Sequence, residues 1–386
     1  MLSIVRNLSC KSNKGRFISP SRILSKQNRY MHVIAYSEAI DNYAKTTEMI
    51  RCFRDKGHFW ANLDPIKSYE ITHLNKLTET QKIASVRMFL DEYSVMENTS
   101  ELLDPILGCT EPIYLGKGVS IHNRDVWTAN ELALFLYDSY TSSVGMEYTH
   151  LESEYVQWLQ NKVEGVDSSN HWNHVDCTSN GGILKHKQIL KQLTKCVHIG
   201  EFFRKKYPRS KVFGIEGSES VLPGLYGLLE MSSMHGAEAF YMGMSHRGRM
   251  NLLHNFLHKS LEVMCTTFSE VEPYVMHDVK FHAGARTHVE VTGDDGITRK
   301  LRISLSANPS HLEIVNPVVL GKTKSVQFHL EDMSMKRAVP LLIHGDASFA
   351  AEGIVAETLE LSQLPQYTVG GTVHIVINNQ IGFTTH

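Results

Sequence analysis

The chain has 386 residues, 42% of them hydrophobic, and a formal net charge of −2. That length is sufficient for two or three domains, and the even charge balance excludes the strongly basic composition that is typical of nucleic-acid-binding proteins. The longest apolar runs, such as residues 339–343 and 373–377, are far shorter than the roughly 18 residues that a membrane-spanning helix needs, so the sequence predicts no membrane span.

The first 37 residues are rich in serine and in basic side chains, and no acidic residue precedes Glu38. Their lysines and arginines are Arg6, Lys11, Lys14, Arg16, Arg22, Lys26 and Arg29. This composition is typical of a mitochondrial transit peptide. A disordered basic tail is the alternative, but so long a stretch without acids favours a transit peptide at residues 1–30 and a location in the mitochondrial matrix.

Residues 31–199 are predicted to form a mainly helical N-terminal region. Apolar side chains recur at helical spacing in residues 37–65, 79–93, 129–140 and 152–163. Residues 164–182 are polar and rich in Ser, Asn, His and Gly, which is the composition of an exposed loop or a domain boundary. The sequence therefore predicts a change of domain near residue 200.

From residue 212 onward, strand-like and helix-like runs alternate. Strands are predicted at residues 237–242, 301–306, 339–343 and 372–377, and helices at residues 221–233, 251–261 and 353–364. Such alternation is typical of an α/β domain with a mainly parallel sheet. We therefore expect an α/β fold class, in which the helical region is followed by an α/β domain at residues 200–386.

The last predicted strand–helix–strand unit ends both of its strands in polar residues. The first strand leads into Gly345 and Asp346, and the second leads into Asn378 and Asn379. A right-handed crossover makes the two strands parallel, so Asp346 and Asn379 are expected to converge at the sheet edge where open α/β sheets bind ligands. Oxygen ligands beside a glycine that admits a phosphate suit octahedral Mg²⁺ bound to a diphosphate.

Two further segments hold candidate functional residues. Residues 244–249 read Met-Ser-His-Arg-Gly-Arg and follow a predicted strand, which puts His246 and Arg247 at a carboxyl edge, where arginine offers a bidentate fork to a carboxylate or phosphate. His282 stands alone in its segment, and a lone histidine is more often a core or surface residue than a catalytic one. Taken singly, both segments also fit structural roles.

Four motifs occur in a fixed order along the chain. They are Gly-His-x-x-Ala-x-Leu-Asp-Pro at 57–65, His-Arg-Gly-Arg at 246–249, Asn-Pro-Ser-His-Leu-Glu at 308–313, and Gly-Asp-Ala with Asn-Asn-Gln-Ile-Gly-Phe at 345–347 and 378–383. Together they resemble the E1 subunits of 2-oxo acid dehydrogenase complexes of the 2-oxoglutarate type, including the 2-oxoadipate-preferring relatives. The resemblance covers residues 45–386 and is specific because the motifs are long and ordered.

This resemblance implies a thiamine diphosphate cofactor held by Mg²⁺. Asp346, the side chain of Asn379 and the main-chain carbonyl of Ile381 would coordinate the metal, in agreement with the spacing argument above. The fold that the resemblance implies at residues 200–386 is a thiamine-diphosphate-binding domain, incomplete at its C-terminus.

The resemblance also implies a reaction and an assembly. The reaction is oxidative decarboxylation of 2-oxoglutarate or 2-oxoadipate, with acyl transfer to the lipoyl group of an E2 partner. His246 and His282 correspond to active-site histidines that contact the oxo acid, and Arg247 corresponds to a cofactor-contacting arginine. The full-length parent would form a homodimer and would work with the dihydrolipoyl dehydrogenase E3.

The sequence departs from the family pattern in two segments and in length. Residues 351–353 read Ala-Glu-Gly where the family commonly has Gly-Gln-Gly, which adds a carboxylate beside an anionic cofactor, and Arg286 differs in the segment after His282. Family members run on for hundreds of residues and include a pyrimidine-binding domain, so we expect these residues to carry only the diphosphate half of the site. The alternative is a catalytically silent binding or assembly module for full-length E1 or E2.

Overall fold

The computed structural model describes residues 45–61, 79–92, 113–114, 126–142, 144–164, 180–210, 212–268, 282–293 and 295–378. The chain divides into two compact units, Met1–Cys177 and Thr178–His386. The predicted transit peptide and most of the predicted polar loop lie outside the described residues. Within the described residues, no helix combines the length and the apolar composition that crossing a membrane requires.

The described part of the first unit is mainly helical, as the sequence predicts. Its elements are a helix at residues 45–56 (α1), a 3-10 turn (Gly57–Trp60), α2 (Glu79–Glu92), the short antiparallel strands β1 (Ile113–Tyr114) and β2 (Val126–Trp127), α3 (Ala129–Tyr140) and α4 (Ser153–Glu164). Thr128 and Glu131 form a capping box that starts α3, which satisfies two backbone N–H groups at the helix start. The rings of Phe53 and Phe89 stack at 4.7 Å in the core.

A nearly buried ion pair lies in this first unit. Arg54 on α1 donates two hydrogen bonds, of 2.7 and 2.6 Å, to the carboxylate of Glu164 at the end of α4. The hydroxyl of Tyr140 donates to the same carboxylate at 2.5 Å and lies 3.0 Å from the hydroxyl of Tyr148. Burial and the Glu164 charge raise the pKa of Tyr140, so this network holds α1, α3 and α4 together.

The second unit is an α/β fold, and its fold class confirms the prediction. Its elements are α5 (Asn180–Lys206), α6 (Val221–Met234), β3 (Ala239–Met244), α7 (Arg249–Asn251), a π-helical turn (Leu252–Phe256), α8 (Leu261–Phe268), β4 (Ala285–Thr292), β5 (Thr298–Leu305), α9 (Val315–His329), β6 (Ala338–Gly345), α10 (Asp346–Ala351), α11 (Gly353–Glu360), a 3-10 turn (Leu361–Gln363) and β7 (Val373–Ile377).

The five strands of this unit form one sheet in the order β4-β5-β3-β6-β7. β3 runs parallel to both β5 and β6, and β6 runs parallel to β7, whereas β4 is antiparallel to β5. The predicted terminal strand–helix–strand unit is therefore present as β6, α10, α11 and β7. After β3 the chain forms β4 and β5 on one side of β3 and then β6 and β7 on the other side, so the strand order reverses at β3.

Helices cover both faces of the sheet, as a mainly parallel sheet requires. Phe240 and Met242 belong to a core shared with α5, α6 and α8, whereas Tyr241 packs with apolar residues of α9 on the opposite face. Gly243 lies under α9, where a Cβ atom would come within 2.9 Å of the Val319 side chain. The absence of a side chain at this position lets the helix approach β3 closely.

Several elements differ from the sequence expectations. Residue 200, near which a domain change is predicted, lies within α5. The predicted helix at residues 251–261 is a short α-helical segment followed by a π-helical turn, and His258 beyond it has a positive φ of 57°. Strand β4 and helix α9 were not predicted.

Candidate functional site

Several polar residues of the second unit lie at one edge of the sheet. The parallel strands β3, β5, β6 and β7 all end at this edge, and the antiparallel β4 begins there. His246 follows β3, Asn308 follows β5, Asp346 follows β6, Asn378 follows β7, and His282 precedes β4. Segments more than 130 residues apart in sequence thus deliver their side chains to the carboxyl edge, where open α/β sheets bind ligands near a reversal of strand order.

His246 lies half-buried in the loop that follows β3. Its ring is 4.1 Å from the ring of Phe213. Burial, and then the positive charges of the nearby His282, Arg247 and Arg249, hold the pKa of His246 below its ordinary value of 6.5. At neutral pH the imidazole is therefore uncharged, with one N–H donor and one acceptor nitrogen.

Arg249, two residues beyond Arg247, is fully buried. Both of its terminal nitrogens donate to the carbonyl of Ser306 at 3.2 Å, and they also donate to the carbonyls of Met244 at 3.2 Å and Ala283 at 3.1 Å. One of them donates to the side-chain oxygen of Asn308 as well. The guanidinium therefore binds the ends of β3 and β5 and the start of β4 together, a structural role that the sequence prediction did not assign to it.

His282 is buried where the chain enters β4. Its carbonyl accepts a hydrogen bond of 3.2 Å from the backbone N–H of Asn308. A Cβ atom at the nearby Gly284 would lie 2.8 Å from both the amide nitrogen of Ala307 and the carbonyl oxygen of Leu305. The close backbone approach of the two segments, which glycine permits, fixes the position of His282 next to the turn after β5.

Asp346 is half-exposed and is the first residue of α10. The residue before it, Gly345, pairs with Ile377 on β7, so Asp346 and Asn378 are each one residue beyond a matched pair of strand ends. Asn379 and Ile381 lie outside the described residues. The part of the chain that is described contains no group of three or more His, Cys, Asp or Glu side chains that could hold a metal ion. Among the described residues, Asp346 supplies a carboxylate at this edge, which is the kind of oxygen donor that Mg²⁺ prefers.

A buried network beside Asp346 was not predicted as part of the site. Glu313 accepts hydrogen bonds from His344, Ser348 and Asn316. Burial raises the pKa of Glu313, but these three hydrogen bonds outweigh burial and hold the pKa below its ordinary value, so the carboxylate is ionised. The signal in the sequence was the glutamate that closes the 308–313 motif.

Comparison with known proteins adds family information to this geometry. A family model described as "Dehydrogenase E1 component" matches residues 193–386. A Xenopus laevis protein named "2-oxoglutarate dehydrogenase-like, mitochondrial" is 33% identical over 355 residues, which cover 90% of this chain and 32% of that protein. The Rattus norvegicus protein of the same name is 32% identical over 355 residues, with 90% and 33% covered. A Caenorhabditis elegans protein named "2-oxoglutarate dehydrogenase, mitochondrial" is 34% identical over 354 residues, with 90% and 31% covered. The chain spans about a third of the length of these relatives.

Proposed function

The chain belongs to the dehydrogenase E1 component family, among the relatives of 2-oxoglutarate dehydrogenase, and from that membership we propose that its second unit binds the diphosphate of thiamine diphosphate through Mg²⁺. The observation that supports this proposal most strongly is the convergence of four parallel strand ends at one edge. Asp346 stands there at the start of α10, beside the end of β7.

We propose that Asp346, the side chain of Asn379 and the main-chain carbonyl of Ile381 hold the metal. These groups are hard oxygen donors, which Mg²⁺ prefers, and a diphosphate supplies further oxygens to complete an octahedron. Arg247 stands in the same edge region, after β3, and is proposed to contact the cofactor, since its guanidinium can bind phosphate oxygens through two parallel hydrogen bonds.

His246 and His282 are the proposed contacts of the oxo acid. When bound, thiamine diphosphate supplies the nucleophilic carbon and the electron sink for decarboxylation. A neutral His246 can donate an N–H to a substrate carboxylate, and the burial that keeps it neutral also strengthens such a hydrogen bond. His282, held by its backbone contact with Asn308, would bind the substrate from the segment that precedes β4. Arg249 adds a buried positive charge behind both.

The proposed reaction is decarboxylation of a 2-oxo dicarboxylic acid, 2-oxoglutarate or 2-oxoadipate, with acyl transfer to the lipoyl group of E2. The proposed location is the mitochondrial matrix, to which a transit peptide at residues 1–30 would direct the protein. There the full-length parent would form a homodimer and would work in a complex with E2 and the dihydrolipoyl dehydrogenase E3. We propose that the helical region and the diphosphate-binding domain correspond to the two units, Met1–Cys177 and Thr178–His386, with the boundary before α5 instead of near residue 200.

Isothermal titration of the purified chain with thiamine diphosphate tests the proposal. We expect binding in the presence of Mg²⁺, loss of binding in EDTA, and no binding of thiamine, which lacks the diphosphate. Asp346→Ala should weaken binding at least tenfold, while the circular dichroism spectrum stays unchanged. Equal binding of thiamine and thiamine diphosphate, or binding that is indifferent to EDTA, would show that the metal–diphosphate assignment is wrong.

A binding or assembly module is the second candidate function. Such a module would bind full-length E1 or E2 without needing the cofactor. Co-purification of Asp346→Ala with either protein, at the level of the wild-type chain and in EDTA, would support this function, and failure to co-purify would exclude it.

A further inference from the structure

Glu313 is a buried glutamate with an unusual backbone conformation. It lies at the end of the loop that joins β5 to α9, and its side chain is buried with the residue 6% exposed. Its φ is 65°, in the left-handed region that residues with a Cβ atom adopt at an energetic cost. A strained backbone that presents an ionised carboxylate to the protein interior persists only where the surrounding contacts stabilise it, so those contacts indicate its role.

Three donors from three different elements surround this carboxylate. Oε2 accepts from His344 Nδ1 at 2.6 Å and from Asn316 Nδ2 at 2.9 Å, while Oε1 accepts from Ser348 Oγ at 2.6 Å. His344 lies in β6, Ser348 lies in α10, and Asn316 lies in the first turn of α9. Because hydrogen bonds to a charged acceptor are shorter and stronger than neutral ones, the carboxylate holds these three elements in one arrangement.

The Glu313 carboxylate accepts hydrogen bonds from residues on both sides of Asp346 in the turn that carries it. His344 precedes Asp346 by two residues, and Ser348 follows it by two residues. The ring of Phe349 packs 4.8 Å from the ring of His344, which adds an apolar contact on the same turn. The chain from 344 to 348 therefore has little freedom to reorient the Asp346 carboxylate while Glu313 is in place.

The same network reaches the last strand through a second histidine. Nε2 of His344 and Nδ1 of His374 lie 2.9 Å apart, and the two rings stack with their centroids at 5.1 Å. His374 pairs in register with Leu342, two residues before His344, so the two histidines are diagonal neighbours on one face of the sheet. Glu313 is thus linked, through one intervening ring, to the strand that leads into Asn378.

We propose that Glu313 is a positioning residue for the metal–diphosphate site, because its carboxylate fixes the turn that bears Asp346 and, through His344 and His374, the end of β7 beside it. The inference rests on the proposed function, since it concerns how the apoprotein prepares Asp346 to bind Mg²⁺. Glu313 itself touches neither cofactor nor substrate. Its effect is to reduce the number of turn conformations that binding would otherwise have to restrict.

The test uses the whole chain and compares Glu313→Gln with Glu331→Gln. Glu331 is a matched control because it is also a glutamate with a positive φ, of 51°, but it is exposed at the opposite end of α9. The amide of Glu313→Gln keeps the shape of the side chain, yet it presents an NH₂ group to one of the three donors. We expect amide hydrogen exchange at residues 344–348 of the apoprotein to become at least tenfold faster, while exchange in β3 and β5 is unchanged.

Calorimetry with thiamine diphosphate and Mg²⁺ gives the second readout. We expect at least tenfold weaker binding by Glu313→Gln and wild-type binding by Glu331→Gln. Ser348→Ala should weaken binding less, by about two- to fivefold, and should have no further effect in the Glu313→Gln background, because the two residues act through one contact. Ser348→Ala alone tests the inference if Glu313→Gln does not fold.

The possible outcomes separate the two claims. If the wild-type chain binds thiamine diphosphate and Glu313→Gln binds it equally, with unchanged exchange at residues 344–348, the positioning role is wrong. Faster exchange throughout the second unit, instead of only in the turn, would likewise overturn it in favour of general stabilisation. If the wild-type chain shows no Mg²⁺-dependent binding, the proposed function fails and the positioning role fails with it, whatever the exchange rates.

Discussion

Both terminal nitrogens of the Arg249 guanidinium lie 3.2 Å from the carbonyl oxygen of Ser306, so a cation from the first residue of α7 holds the end of β5. Its other acceptors are the carbonyl of Met244 at the end of β3, the carbonyl of Ala283 just before β4 and the side-chain oxygen of Asn308. These three strand ends carry His246, His282 and Asn308. The positions of the proposed substrate contacts therefore depend on the buried side chain of Arg249.

Replacing Arg249 should destabilise the second unit. Arg249→Lys keeps the charge but loses the planar fork, and we expect a loss of about 2 kcal/mol or more, because buried carbonyls left without donors cost about 1 to 3 kcal/mol each. Arg247→Lys, in the same loop but half-exposed, should have a smaller effect. Thermal unfolding followed by far-ultraviolet circular dichroism gives the comparison. Equal shifts of the two variants would contradict the role assigned to Arg249.

Alanine substitution of Gly243, which faces α9, and of Gly321, which lies within α9, should change the free energy of unfolding in opposite directions. A Cβ atom at Gly243 would lie 2.9 to 3.0 Å from Val319, Leu342 and Val315, so Gly243→Ala should cost about 1 to 3 kcal/mol through overpacking. A Cβ atom at Gly321, inside α9, would meet nothing within 4 Å, and Gly321→Ala should stabilise by about 0.4 to 1 kcal/mol. Urea unfolding followed by circular dichroism measures both variants. Destabilisation by Gly321→Ala would show that α9 packs differently.

The first unit offers a matched pair of arginines on α1. Arg54→Met removes the partner of the buried Glu164, whose side chain is 5% exposed, and should cost about 3 kcal/mol because a charge is left buried without its counterion. Arg51→Met removes an ion pair to Asp55 in which Arg51 is 71% exposed, and should cost less than about 0.5 kcal/mol.

Tryptophan fluorescence can follow these two variants separately from the second unit. Of the four tryptophans, Trp60, Trp127 and Trp158 are described residues of the first unit, and Trp172 lies outside the described residues. The midpoint of the urea unfolding transition that they report should therefore move to a lower urea concentration for Arg54→Met and stay unchanged for Arg51→Met. A similar shift for both would mean that the Arg54 contact is as weak as a surface pair.

His246 should make the protein less stable at acid pH. Its pKa in the folded chain lies below the ordinary value of 6.5, so folding opposes its protonation. Its contribution to stability is complete above pH 6.5 and is lost as the pH falls through the folded-state pKa. His246→Gln should therefore lose less stability than the wild-type chain between pH 7.5 and pH 5. A parallel decline in both proteins, or an imidazole that titrates above 6.5 by NMR, would contradict this account.

Regular patterns in the sequence were sufficient to predict several elements. Helix α3 shows apolar side chains at helical spacing, whereas β6 and β7 are short apolar runs, the first of which leads into the glycine at 345. The parallel pairing of β6 with β7 follows from the right-handed crossover alone. These predictions depend on short-range chemistry, which a single sequence displays directly.

The elements that were missed lack such local signals. Only Val289 and Val291 of β4 are buried apolar residues, because β4 is an edge strand with one partner, β5. Helix α9 contains Pro317 and Gly321, which suggest a turn when read alone. In the structure, Pro317 falls in the first helical turn, where it is tolerated, and Gly321 faces open space.

The site could be predicted only where a family motif carries it. Arg249 and Glu313 each end a motif of the family resemblance, at 246–249 and 308–313. Their burial nevertheless depends on contacts with residues 57 and 35 positions away, respectively. Local periodicity contains no information about such contacts. Asn379 and Ile381 lie outside the described residues, so their roles remain predictions.

The most direct test of the metal–diphosphate site is a crystal structure of the chain with thiamine diphosphate and Mn²⁺, in which anomalous scattering locates the metal. We predict a single strong peak between the cofactor's diphosphate and the carboxylate of Asp346, with the side chain of Asn379 and the carbonyl of Ile381 completing the protein ligands. A metal bound away from Asp346, or a diphosphate bound at this edge without metal, would contradict the account.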